Sequence, residues 1–205
     1  MKFNEMTLEV LKEIGNIGTG NAATALSTML DSKVDIGLPQ CEMIPFSAMT
    51  DGFESPEEMV VGVLVQMTGD MEGFIMLVLT MDAAFELVEL LMGMPIDCDR
   101  EDYAAVMEAL QPVEEIGNIL INAYLSAIAG MAGMVVTPTL PAISIDMAMA
   151  LMNLPAVVYG EVGETVLHME TDFHNDSSSV TGRYFLVPTM DSYGRLMNAL
   201  GVSIE

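Results

Sequence analysis

The pentapeptide Glu-Ile-Gly-Asn-Ile occurs twice in this chain, at residues 13–17 and 115–119, an offset of 102 (115 − 13). On a helix, side chains three positions apart project from one face. Glu13 and Asn16 therefore form a carboxylate and carboxamide pair, and Glu115 and Asn118 form a second. Each pair offers a charged acceptor and a neutral donor and acceptor to whatever meets that face. At about 100° per residue the first face also carries Glu9, Gly20 and Thr24. Leu8, Leu11, Ile14, Ala22, Ala25, Leu26 and Met29 lie opposite. The second face carries Glu108, Gln111 and Asn122, opposite Leu110, Tyr124, Ala127 and Ile128. An exposed helix face is polar by default, and one copy carries no more than that. Duplication at matching positions gives a functional reading equal standing.

Other chemistry is poorly represented. The stretch "GNIGTGN" lacks the G-x-G-x-x-G spacing and any Walker lysine, and it sits inside a helical pattern. Gly15 and Gly18 fall on the apolar face, which suits close helix packing. His168 and His174 have no nearby cysteine and no metal spacing. Neither is flanked by a nucleophile, so no Ser/His/Asp or Cys/His set emerges. Cys41 and Cys98 read as buried free thiols. Twenty-one methionines read as adaptable core filler.

The elements that carry the two pairs repeat in order. In the first half, residues 5–31 are predicted helical and "SKVDIGLPQCEMIPF" extended, with Pro39 suited to an edge or bulge. "EMVVGVLVQMTGDMEGFIMLVLT" reads as a hairpin around a Thr-Gly-Asp turn. "MDAAFELVELLMG" reads as a helix with Asp82 as N-cap and Gly93 near its end. In the second half, residues 102–132 are predicted helical, "VVTPTLPAISIDM" extended, and "GETVLHMETDF" with "TGRYFLVPT" a hairpin. "MDSYGRLMNALG" closes that half as a helix, and "DMAMALMNLPAVVYG" has no assignment. Val34, Leu38 and Pro39 match Val136, Leu140 and Pro141 at the same offset of 102. Thr80, Met81, Asp82, Leu87 and Leu91 match Thr189, Met190, Asp191, Leu196 and Leu200 at 109 (189 − 80). The difference fits a longer polar loop at "HNDSSS", where insertion costs little. The pattern predicts an α/β fold of α+β type: one domain over residues 1–205, with pseudo-twofold halves at 1–100 and 101–205. Its sheet is expected to be largely antiparallel and packed by the two long helices.

Thirty acidic residues against six basic ones give a net charge of −24. Lys2, Lys12, Lys33, Arg100, Arg183 and Arg195 are scattered, which excludes ordinary nucleic-acid binding and attraction to anionic membranes. No apolar run is long enough to span a bilayer, and "MKFNEMTLEV" is no signal peptide, so a cytoplasmic location is expected. An acidic surface suits a partner with basic groups around its own site, and equally serves solubility.

With these residues in place, the chain resembles the CheC, CheX and FliY phosphatases of chemotaxis. Their motif is Asp or Ser, three residues, Glu, two residues, Asn, twenty-two residues, then Pro. Here twenty-two residues separate Asn16 from Pro39 (39 − 16 − 1) and Asn118 from Pro141 (141 − 118 − 1). The likeness covers essentially the whole chain, and two full copies in about this length look most like the CheC members. The first motif position departs from the pattern, as Glu9 and Gln111. Pro112 departs too: it must kink the second helix or restart it, and a restart would put Glu115 in the first turn.

The resemblance implies hydrolysis of the aspartyl phosphate on the response regulator CheY. Asn16 and Asn118 would position the attacking water, and Glu13 and Glu115 would dock on the regulator's lysine. It implies no cofactor of the chain's own, with Mg²⁺ carried by CheY, and the receptor deamidase CheD as a second partner. A monomer is expected, because one chain holds both copies. Two other readings stay open: a non-catalytic adaptor that binds CheD or the flagellar switch, and a switch component.

Overall fold

The computed structural model describes residues 5–37, 40–160, 162, 164–174 and 179–201, without the side chains of residues 5–8 and 11. The elements run α1 (Glu5–Leu30), β1 (Asp35–Ile36), β2 (Gln40–Pro45), a 3₁₀ turn (Phe46–Ala48), β3 (Met59–Gly69), β4 (Gly73–Thr80) and α2 (Met81–Met92). Then follow α3 (Tyr103–Ala109), α4 (Gln111–Ala132), β5 (Val136–Pro138), β6 (Ala142–Met147), α5 (Ala148–Tyr159), β7 (Thr165–His174), β8 (Ser179–Pro188) and α6 (Met190–Ala199).

One antiparallel sheet runs β1-β7-β8-β4-β3-β5, with β2 also along β7 and β6 also along β3. Strands from opposite ends of the chain are therefore exchanged: Met43 pairs with Leu167, and Ile145 pairs with Val61. The central β4–β8 register sets Ile75 opposite Leu186 and Leu77 opposite Tyr184. Moving each partner by the 109-residue offset converts one pair into the other, so the centre of the sheet has local twofold character.

The β3 and β4 runs are buried almost without interruption, as expected of strands covered on both faces. Val61, Val63, Val65, Ile75, Leu77 and Leu79 point into the larger core under α1, α2 and α4. Val60, Leu64, Phe74, Met76 and Val78 point the other way, against Ala148, Leu151 and Met152 of α5 and against Met49 and Phe53. The two long helices cover one face as expected, and this second layer on the other face is an addition to it. Helix α5 occupies the stretch that had no assignment.

Three local expectations also change. Thr80, extended at φ −62° and ψ 160°, caps α2 by accepting from Ala83 N–H, while Asp82 lies in the first turn and pairs with Arg100 at 2.9 Å. The long second helix is two: α3 ends at Leu110, and α4 restarts with Pro112 in its opening turn, where a missing N–H costs nothing. The acidic residue of that turn is Glu114, and Glu115 lies one position further on. Gly93, at φ 69°, closes α2 as expected. Pro39, Leu38 and the hairpin tip 175–178 lie outside the described residues.

Helices α1 and α4 pack on each other as well as on the sheet. A Cβ at Gly18 would run into the Tyr124 ring, and one at Gly117 would meet Val63 at 2.8 Å. The Tyr124 hydroxyl is within 3.0 Å of Thr19 and 2.9 Å of Thr171, tying α1, α4 and β7 together inside the core. Among the described residues no helix is long and apolar enough to cross a membrane.

Candidate functional site

The burial pattern of α1 follows its helical period. Ile14, Gly15, Gly18, Thr19, Ala22 and Leu26 are buried, while Glu9, Glu13, Asn16, Gly20 and Thr24 are exposed. Ala25 and Met29, expected on the core side, are exposed, so the buried stripe is narrower than the sequence suggests. On α4, Ile116, Gly117, Leu120 and Tyr124 are buried, Gln111 and Glu115 are exposed, and Asn118 and Asn122 are half-buried. Each Glu and Asn pair thus stands one helical turn apart on a solvent-facing edge, with its helix anchored from behind by the core.

The two copies differ in detail. Asn122 Nδ2 donates to Asn118 Oδ1 at 2.7 Å and to the Asn118 carbonyl at 2.8 Å. The position one turn after Asn16 is Gly20, which has no side chain to donate. Glu9 and Gln111 occupy the turn before each Glu on the same exposed faces. Pro141 is half-buried just before β6, on the scaffold rather than on the helix face.

A second polar cluster, missed from sequence, lies on the opposite face of the sheet. Strand pairing sets Glu42 opposite His168 and Glu170 opposite Arg183. His168 Nδ1 contacts Glu42 at 3.1 Å, its ring stacks on Phe185, and Arg183 donates to Glu170 at 2.9 Å. They line a cleft of about 310 Å³ with Met49 and Asp51. The partners are 126 positions apart in one case, so only strand register brings them together. Cys41 and Cys98 are free as expected but half-buried rather than buried, and the enclosure of the Cys41 thiol pushes it up to about 11. Among the described residues no three His, Cys, Asp or Glu side chains gather as a metal site would require.

Residues 6–41, which contain the first Glu-x-x-Asn copy, match the model of the CheC-like family. The CheY-P phosphatase CheC of Bacillus subtilis is 29% identical over 98% of this chain and 97% of its own length. The flagellar motor switch phosphatase FliY of Bacillus subtilis is 39% identical over 91 residues, 44% of this chain and 23% of FliY. The crystal structure of Thermotoga maritima FliY superposes with a TM-score of 0.72 at 21% identity, covering 98% of each chain. The fold, a curled antiparallel sheet with paired helices on one face, is therefore shared with FliY. The chain is thus similar to CheC over nearly its whole length and shares the fold of FliY.

Proposed function

We propose that this chain is a phosphatase of the CheC kind that hydrolyses the aspartyl phosphate of the response regulator CheY. The observation that carries the reading is the twice-repeated placement of a Glu and an Asn, one turn apart, along the solvent-facing edge of two neighbouring helices, with Glu13, Asn16 and Glu115 exposed and Asn118 half-buried. The likeness to a relative named as a CheY-P phosphatase supports the substrate.

The chemistry asks little of this protein. Water attacks phosphorus, the bond to the acyl oxygen breaks, and the regulator's carboxylate leaves with its electron pair. The regulator supplies Mg²⁺ and a lysine; what it lacks is an ordered, in-line water. The neutral carboxamide of Asn16 or Asn118 accepts a hydrogen bond from that water without repelling the phosphoryl oxygens, as a carboxylate would. Glu13 or Glu115 docks on the regulator's lysine and so fixes the Asn three residues on. Glu9 and Gln111 complete the motif on the helix faces and Pro141 on the scaffold, and Pro39 is the matching motif position in sequence. The reading places the protein in the cytoplasm, as a monomer with CheD as a second partner.

The test is the decay of phosphorylated CheY with wild type, Asn16→Ala, Asn118→Ala and the double variant. The double variant should bind CheY yet leave it decaying at its own rate, with each single variant partly active. A wild type that binds CheD or CheY without speeding decay, whether or not CheD is added, would establish the adaptor reading instead.

A further inference from the structure

The two copies of the site are not equivalent, and one of the differences is a side chain that touches the amide itself. Asn122 follows Asn118 by one turn and donates through Nδ2 to its Oδ1 at 2.7 Å. The matching position after Asn16 is Gly20 (16 + 4), which has no side chain to give. From these we infer that Asn122 is a positioning residue that holds the Asn118 carboxamide in one orientation. The second site is therefore preorganised, and the first orders its amide only on docking.

This deepens the phosphatase reading and rests on it. An amide oxygen has two lone pairs, so accepting from Asn122 leaves one for the attacking water. The brace removes rotation about the Asn118 side chain before CheY arrives, and catalysis by orientation gains from freedom lost in advance. It also makes a contact with the Asn118 carbonyl at 2.8 Å, so the brace is itself fixed to the helix. At the first site nothing blocks the same device: a Cβ at Gly20 would meet no atom within 4 Å.

The experiment isolates each site. With Asn16→Ala removing the first, Asn122→Ala should lower kcat roughly three- to tenfold and leave KM unchanged. With Asn118→Ala removing the second, Gly20→Asn should raise kcat severalfold, and Gly20→Ala should not. Thermal midpoints of all variants check folding. A purely structural Asn122 would not produce the gain at residue 20. An Asn122→Ala variant with unchanged kcat, or a Gly20→Ala variant that matches Gly20→Asn, overturns the inference while wild-type turnover keeps the phosphatase reading. A wild type that fails to speed decay takes down both.

Discussion

The hydroxyl of Tyr124 on α4 lies 3.0 Å from that of Thr19 on α1, a buried hydrogen bond between the helices that carry the two proposed sites. Thr19 is three residues after Asn16, and Tyr124 is six after Asn118. The same hydroxyl reaches Thr171 of β7 at 2.9 Å, so one side chain sets the position of both helices against the sheet.

Tyr124→Phe keeps the ring and removes both bonds, leaving two buried threonine hydroxyls to find other partners. A loss of about 1–3 kcal/mol is expected, measured as a shift in urea unfolding midpoint at constant slope. Because both helices lose the tie, turnover at each isolated site should fall together. Unequal losses would mean that the helices are held independently.

Two glycines on α1 make a matched pair. Gly18→Ala places a methyl against the Tyr124 ring and should destabilise by about 1–3 kcal/mol through overpacking. Gly20→Ala faces solvent, with nothing within 4 Å, and should stabilise by roughly 0.5–1 kcal/mol through helix propensity. Opposite signs two residues apart are the expected outcome in thermal melts, and equal signs would contradict the packing described.

How much of this was legible in the sequence depends on how local the determining interaction is. The exposed faces of α1 and α4 follow from a 3.6-residue period, and the hairpins from their turns. Helix α5 escaped because its residues are apolar nearly all round and Pro155 lies inside it, so no stripe marks one face. Asp82 was a plausible cap by residue type, but the extended backbone at Thr80 decides the start of α2. The Glu42 and His168 contact depends on β2 pairing with β7 across the chain, which no window of sequence contains. At the candidate site the face was readable, whereas the Asn122 to Asn118 hydrogen bond depends on side-chain torsions that spacing leaves free.

Alkaline pH should unfold the protein through its core. Burial raises the Cys41 thiol from its ordinary value near 9 to about 11, and raises the hydroxyls of Tyr124 and Tyr184 as well. Between these values the unfolded chain ionises where the folded one does not. The stability is thus fully present below about pH 9 and is lost as pH rises towards 11. Unfolding midpoints measured from pH 7 upward should fall across that window, and less steeply in Cys41→Val. Identical slopes would mean that Cys41 is more hydrated than its burial implies.

The two carboxylates should separate docking from chemistry. If Glu13 and Glu115 hold the regulator's lysine in the ground state as well as in the transition state, their loss is uniform binding: KM rises and kcat holds. If instead each Glu matters only by fixing its Asn, kcat falls with it. The exposure of both carboxylates argues for the first outcome, because a solvated ion pair across an interface mainly sets encounter. Glu13→Gln in an Asn118→Ala background, and Glu115→Gln in an Asn16→Ala background, should each raise KM several-fold with little change in kcat. Raising the salt concentration should raise KM for the parents more than for the Gln variants, since screening acts on the charge that the variants lack. Equal salt dependence in parent and variant would show that the −24 net charge, rather than these two residues, steers the encounter.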